Sequence, residues 1–379
     1  MNLGIFIYSM AGGGAERVVS YLLPYLKEQG YGVHLILMNS TISYKIPDNV
    51  NIHYLEKSRG DESGICKFLK LPFLAYKYAK LSKKLGLTHS FSLLSRPNYV
   101  NVIMKYFNRK PPAIIISERN YASMIYGYGD MQSKINSFLV KKLYPKADQV
   151  IGNSKANVKD LIENYGIRKE VTAVIENPID LEKIKAIEPF PDFLDKSCFN
   201  MISVGRFEHV KNQQLLIKAL VRVPTAQLYL LGRGILGKNL QELVEKENLS
   251  DRVHFLGFDP NPYKYLKSAD LFVFGSNHEG FPNVLLEAMC CGLPILTTNC
   301  KSGPDEIMEL EEPSTNKIMK TPYGILTPVG NVDLMTEGMN YFIQNPEYLR
   351  FCGQNALQRI KAFEKKGILQ AYETALLRQ

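Results

Sequence analysis

With 379 residues and 45% apolar content, the chain is long enough to bury two ordinary hydrophobic cores. Its formal net charge of +9 is uneven, because residues 1–190 hold 26 Lys and Arg against 16 Asp and Glu while the remainder hold 20 against 21. No stretch approaches the roughly 20 uninterrupted apolar residues of a membrane span, and the six cysteines form neither a CxxC pair nor a cluster with histidine, which excludes a disulfide scaffold and a zinc site as readings. A basic half attracts nucleic acid, phospholipid headgroups or a diphosphate-bearing acceptor. Nucleic acid ranks last among these, because no nucleic-acid-binding motif is present.

The chain enters directly on an apolar run, Leu3 to Tyr8, so no signal peptide is expected and the location is read as cytoplasmic. Gly12-Gly13-Gly14 follows and opens a helical pattern, Glu16 to Glu28. Glycines permit close backbone approach, and a helix start offers N–H groups to a phosphate or an acceptor hydroxyl, so Gly13 and Gly14 are candidate ligand contacts. The alternative for three glycines is a tight turn, and the GxGxxG spacing of a dinucleotide site is absent. Further apolar runs, Val33 to Met38, Ile114 to Ile116 and Val150-Ile151, alternate with amphipathic segments such as Lys134 to Tyr144. That alternation predicts a parallel, doubly wound sheet. Between the second and third runs, Pro72 suits a helix start and Gly86 a helix stop, giving a helix over 71–85. Lys70, Lys77, Lys80 and Lys84 fall on one stripe with Phe73 among them, and Leu71, Leu74, Tyr78, Leu81 and Leu85 fill the neighbouring arc. This is the pattern of a helix lying on an anionic membrane surface. It is equally that of an ordinary helix packed on a sheet with solvated lysines.

After Asn177-Pro178-Ile179-Asp180, a stretch with Pro189 and Pro191 reads as a linker. The expected domains are residues 1–182 and 197–357, each Rossmann-like, with a C-terminal helix over 358–379 returning to the first. A cleft between two such halves is where a small ligand is expected. The second series of strands runs Phe199 to Val204, Gln227 to Leu231, Val253 to Leu256, Leu271 to Phe274 and Pro294 to Thr297. The first ends in Gly205-Arg206-Phe207-Glu208-His209-Val210-Lys211. A guanidinium fork and an ammonium near a helix start, where cations are mildly unfavourable, suit a diphosphate that gains charge as it leaves. Gly232 and the pair Gly257-Phe258 stand at the ends of the next two strands. The most informative stretch is Glu279-Gly280-Phe281-Pro282-Asn283-Val284-Leu285-Leu286-Glu287. Pro282 begins a helix with no Ser, Thr or Asp just before it, leaving N–H groups near Asn283 and Val284 for an outside acceptor. Glu279 and Glu287 are spaced to accept hydrogen bonds from vicinal sugar hydroxyls on one ligand. A phosphorylated sugar fits; two solvated surface carboxylates are the plain alternative.

Taken together, this string, with Ala-Met-x-x-Gly-Leu-Pro after the second Glu, resembles the nucleotide-sugar site of the retaining GT-B glycosyltransferases of family 4. The resemblance implies that Arg206 and Lys211 hold the nucleotide diphosphate, Glu287 the ribose and Glu279 the sugar. It also implies that the loop at Gly257 and Phe258 lies against the base, and that Ser302 to Ile307 lies near the sugar and phosphates. Where many members carry a first-domain His, this chain has Ser117-Glu118-Arg119-Asn120, so Glu118 is a candidate base or sugar-positioning group, or else a structural charge. No Asp-x-Asp occurs, and no metal or other cofactor is expected; cations and a helix dipole would stabilise the leaving group. Phe6 to Ser9, His34 to Asn39, Lys67 to Leu74, Arg96-Pro97-Asn98-Tyr99 and Asn261 to Leu266 resemble one subgroup, the N-acetylgalactosaminyltransferases of bacterial N-linked protein glycosylation. That implies UDP-GalNAc as donor, an undecaprenyl-diphosphate-linked glycan as acceptor, and a peripheral place on the inner face of the cell membrane. Open beside it are processive addition of several residues, a branching glucose on the same carrier, a lipopolysaccharide or capsule transferase, a sugar-nucleotide epimerase, and an inactive sugar-binding scaffold.

Overall fold

The computed structural model describes residues 1–56 and 64–377. The chain divides into two compact units: Met1–Pro178 together with Lys365–Gln379, and Ile179–Glu364.

The first unit contains β1 (Asn2–Ile7), β2 (Gly32–Leu37), β3 (Asn51–Tyr54), β4 (His89–Leu93), β5 (Ala113–Glu118), β6 (Gln149–Gly152) and β7 (Thr172–Val174). They form one sheet in the order β3-β2-β1-β4-β5-β6-β7, every pair parallel. The Val/Ile/Leu-rich strands β1, β2 and β5 are buried on both faces, as a parallel sheet covered by helices requires. Three strands, β3, β4 and the short β7, were hidden from an apolar reading. β3 is a polar edge strand, and β4 (His-Ser-Phe-Ser-Leu) buries Ser90 and Ser92 under the sheet. There Ser90 Oγ donates to Asn101 Oδ1 at 2.7 Å and Ser92 Oγ to Asn98 Oδ1 at 2.8 Å, so their burial is compensated.

The second unit repeats the plan with β8 (Phe199–Val204), β9 (Ala226–Leu231), β10 (Val253–Gly257), β11 (Leu271–Phe274), β12 (Ile295–Thr298), β13 (Met319–Thr321) and β14 (Gly324–Thr327). The order is β10-β9-β8-β11-β12-β14-β13, parallel except for the final β13–β14 pair. In both sheets the order reverses beside the first strand of the unit, and the loops at the strands' carboxyl ends there are where such folds place ligands.

Two expectations about connections are corrected. The stretch with Pro189 and Pro191 is not a free linker: Phe190 N–H donates to Lys264 O at 3.0 Å, and the Phe193 ring packs edge-on against Tyr229 and Tyr265, each with centroids 5.1 Å apart. Aromatic burial ties it to the second unit. The single helix expected over 358–379 is instead the end of helix Pro346–Arg359, a 3-10 turn Ile360–Phe363, and a separate helix Lys365–Leu377. Only this last helix belongs to the first unit; residues 378–379 lie outside the described residues. Phe363 is buried against Phe281, centroids 5.7 Å apart, and that anchor keeps residues up to 364 with the second unit.

Candidate functional site

The second unit gathers most of the nominated residues at the carboxyl edge of its sheet. After β8, Gly205 N–H donates to Leu231 O at 3.0 Å, and after β9, Gly232 N–H donates to Gly257 O at 2.7 Å. Gly232 has φ +159 and a Cβ there would stand 1.9 Å from Gly205 O, so three successive strand ends interlock only because this position has no side chain. A Cβ on Gly205, by contrast, would meet only Lys211 and Gln213 side-chain atoms at 3.7–3.9 Å. At that glycine a Cβ would be in ordinary van der Waals contact with its neighbours. Beyond β10, Phe258 is 61% exposed and the Arg233 guanidinium lies 4.7 Å from its ring centroid, a cation–aromatic surface of the kind on which a planar ring stacks.

Lys211 and Glu279 meet. The ammonium stands 2.6 Å from Glu279 Oε1, with the side chains only 18% and 11% exposed. Ser276 Oγ donates to the same oxygen at 2.7 Å, and the Lys211 ammonium lies 5.3 Å from the Phe274 ring centroid at the end of β11. The loop bearing Lys211 is fixed by a left-handed residue, Asn212 at φ +47, whose Nδ2 donates to Asn277 Oδ1 at 3.0 Å; Asn277 N–H in turn donates to Val210 O at 2.8 Å. The ammonium is therefore held in a fixed position. An ammonium has three N–H donors, and Glu279 takes one. Arg206 differs: its side chain is 75% exposed and pairs only with nearby Glu208, at 2.9 Å, an exposed contact worth little that an incoming anion can replace.

The helix Asn283–Cys290 has Pro282 at its N-cap, extended at φ −73, with no side-chain cap. Glu287, two turns along, is buried. The loop after β12 closes over the start of this helix: Ser302 Oγ donates to Gly280 O at 2.6 Å, and a Cβ on Gly303 would stand 2.6 Å from Pro282 Cδ. Phe281 sits in the hydrophobic core of the unit, its ring packed against Phe363. Asn283 and Val284 are partly exposed in the first turn.

In the first unit, Gly13 is the N-cap of helix Gly14–Glu28, and Glu16 folds back so closely that a Cβ on Gly13 would stand 2.4 Å from its Oε2. Burial pushes the Glu16 carboxyl above its ordinary pKa, its own backbone N–H opposing. Glu118, the candidate base or structural charge, lies at the end of β5. It is fully buried; its Oε2 accepts from Tyr144 Oη at 2.7 Å and its Oε1 from the N–H groups of Arg119 and Asn120 at 2.9 and 3.2 Å. Burial raises its pKa against those hydrogen bonds. A carboxyl so enclosed shapes the loop after β5, as the structural-charge alternative expects.

The helix Leu71–Leu85 ends at Gly86, φ +59. It buries Leu71, Leu74, Ala75, Tyr78, Ala79 and Ser82 and turns Phe73, Lys77, Lys80 and Lys84 outward. Lys70 lies 3.3 Å from Glu56, and Lys77 Nζ donates to Leu55 O at 2.7 Å, so neither is a loose surface cation. Tyr76, which the sequence reading passed over, is exposed; Lys80 lies over its ring and Phe107 packs edge-on against it.

Two Rossmann-like units, the second with cations, carboxylates and a helix start at its strand ends, define a GT-B glycosyltransferase. Residues 12–183 match the family described as Glycosyltransferase Family 4, and residues 184–359 that described as Glycosyl transferases group 1. The chain is 42% identical over 367 residues, 96% of each chain, to the N-acetylgalactosamine-N,N'-diacetylbacillosaminyl-diphospho-undecaprenol 4-alpha-N-acetylgalactosaminyltransferase of Campylobacter jejuni. An uncharacterized glycosyltransferase of Methanocaldococcus jannaschii is 32% identical over 72% of this chain and 73% of its own. The chain belongs to glycosyltransferase family 4. Among solved structures, HepE of Anabaena in complex with UDP superposes with a TM-score of 0.77 at 21% identity, covering 99% of both chains. Sucrose-phosphate synthase from Thermosynechococcus elongatus gives 0.82 at 19% identity, covering 99% of this chain and 98% of that one. These two likenesses carry the fold alone.

Proposed function

We propose that this glycosyltransferase moves N-acetylgalactosamine, with retention, from UDP-GalNAc to an undecaprenyl-diphosphate-linked oligosaccharide of protein N-glycosylation, as a peripheral protein on the cytoplasmic face of the membrane. The observation that carries the transfer chemistry is the Lys211–Glu279 pair, 2.6 Å apart, on the strand-end loops that also bear Arg206. The choice of sugar and carrier rests on the printed name of the Campylobacter jejuni relative, 42% identical across 96% of the chain. In this reading the sugar's bond to the diphosphate breaks, a bond to an acceptor hydroxyl forms on the same face, and that hydroxyl's proton passes to the departing diphosphate. Arg206 and Lys211 neutralise the charge that grows on the departing UDP, with the N–H groups at Asn283 and Val284 adding the positive end of their helix. Glu287 takes the ribose, Glu279 the sugar, and Gly257 and Phe258 the base. With cations in that role the reaction needs no divalent metal.

The test is donor screening with the purified protein and extracted lipid-linked acceptor, in excess chelator, with mass spectrometry of the product. One added N-acetylhexosamine, from UDP-GalNAc in preference to UDP-GlcNAc or UDP-glucose, is expected. Several added residues, a transferred glucose, a strict divalent requirement or no turnover at all would each overturn a stated part of the proposal.

A further inference from the structure

We infer that a small cavity at the carboxyl end of β4 is an oxyanion site built around Arg96, and that the oxyanion it takes is the diphosphate of the lipid-linked acceptor. The second half of that statement rests on the proposed function; the first does not. The cavity, about 250 Å³ and within the first unit, is lined by Lys67, Ser95, Arg96, Tyr99 and Tyr126 among others. Ser95 and Arg96 begin the helix Ser95–Met104, directly past the end of β4, at the sheet edge where doubly wound folds bind ligands.

Arg96 is the reason to assign an anion. All three of its guanidinium nitrogens are buried, and among the described residues none makes a hydrogen bond. Its counter-charge is Glu56, Nη1 to Oε2 2.9 Å, but that oxygen likewise has no hydrogen-bond partner. The two charges touch without the alignment a hydrogen bond requires. Glu56 is shared with Lys70 at 3.3 Å. The charge of Arg96 is thus balanced while its N–H donors are unspent, and buried donors left unspent are costly and uncommon. A planar fork of N–H groups matches the paired oxygens of a phosphate or a carboxylate. Lys67 brings a second cation to the same cavity, and Ser95 Oγ and Tyr126 Oη, 2.5 Å apart, bring hydroxyls. At roughly 30 Å³ per water, the space is ample for a diphosphate. When the anion binds, Lys70 remains as the partner of Glu56.

The test uses full-length protein saturated with UDP, so that the nucleotide site is filled, and inorganic diphosphate as the probe in calorimetry. Arg96→Gln is expected to weaken diphosphate binding at least tenfold and to raise the KM for lipid-linked acceptor at least tenfold, with the UDP Kd unchanged. Lys67→Gln should do the same to a smaller degree. Unchanged diphosphate affinity and unchanged acceptor KM in folded Arg96→Gln overturn the inference. If Arg96→Gln does not fold, the wild type decides: diphosphate that neither binds in the presence of UDP nor competes with the acceptor overturns it equally. Weakened diphosphate binding with an unchanged acceptor KM overturns the acceptor as the source and leaves free phosphate or diphosphate as the ligand. Absence of transfer by the wild type counts against the proposed function, and the calorimetric arm still decides the oxyanion site.

Discussion

Lys211 and Glu279 stand 68 positions apart in sequence and 2.6 Å apart in space, and their contact changes what each does. From sequence they have separate tasks, diphosphate and sugar; in the fold Glu279, braced by Ser276, also aims the ammonium. Lys211→Ala is expected to lower kcat by about 10²-fold or more, the loss typical of one transition-state donor. Glu279→Ala should cost a similar factor, and the double variant should be no slower than the worse single one, because coupled residues fail together. A double-mutant cycle on kcat checks this, and additive losses would show two independent roles. Glu118 bears on stability instead. Burial raises its pKa, so the protonated form is favoured in the fold; its contribution is present below the unfolded value of about 4.3 and is lost as pH rises through the raised folded value. Denaturant titrations of wild type and Glu118→Gln from acid to neutral pH should therefore show the variant gaining relative to wild type as pH rises. A difference independent of pH would mean that Glu118 does not change charge within that range.

At the scale of elements, the helix Leu71–Leu85 illustrates what a sequence can and cannot carry. Pro72, Gly86 and the apolar arc fix its ends and its buried face, since each acts locally on the backbone or through simple burial. The partners of its outward side chains come from distant segments: Glu56 for Lys70, Leu55 O for Lys77, Phe107 for Tyr76. No periodicity encodes them. The same limit hid β4, whose buried serines look like those of a loop until Asn98 and Asn101 supply their hydrogen bonds, and it left Glu118 ambiguous, because a carboxylate after a strand reads alike whether buried or exposed. Gly232 was legible as a strand-end glycine, whereas Gly324, where a Cβ would stand 1.9 Å from Ile295 O, carried no sequence signal. The outward face of the helix, with Phe73 at 62% and Tyr76 at 43% exposure among lysines, supports membrane contact. Each lysine near an anionic surface contributes about 1 kcal/mol, and the rings add interfacial burial. Phe73→Ala with Tyr76→Ala, and separately Lys80→Glu with Lys84→Glu, should each reduce co-sedimentation with phosphatidylglycerol vesicles at least tenfold while sparing UDP affinity. Lys77→Glu is a poorer probe, because it also removes the bond to Leu55 O. Wild-type vesicle binding in both folded double variants would make this a solvated face only.

For the molecule as a whole, the two units are not two consecutive lengths of chain, because helix Lys365–Leu377 returns to the first. Ile368, Leu369, Tyr372, Ala375 and Leu376 are buried there, in a core shared with β1, β2 and helix Gly14–Glu28. The Tyr372 ring lies 6.0 Å from that of Phe91, and its hydroxyl accepts from Arg119 Nη1 at 2.7 Å. Glu373 accepts from Tyr25 Oη at 2.6 Å and Tyr31 Oη at 2.8 Å, which together with burial pushes the Tyr25 hydroxyl up to about 12. Removing residues 365–379 would strip four large apolar side chains at roughly 1.5–3 kcal/mol each, a loss comparable with the whole stability of a typical domain, about 5–15 kcal/mol. It would also leave Arg119, itself buried, without that acceptor. The second unit, Ile179–Glu364, retains Arg206, Lys211, Glu279 and Glu287. A chain ending at Glu364 should therefore lose cooperative unfolding of the first unit and all transfer activity, yet bind UDP with near wild-type affinity by calorimetry. Tyr372→Phe, which keeps the ring and removes only the acceptor for Arg119, should lower the first unit's Tm by a few degrees and leave UDP binding untouched. Loss of UDP affinity in the truncated chain, with its second unit still folded by circular dichroism, would show that the nucleotide site depends on the first unit after all.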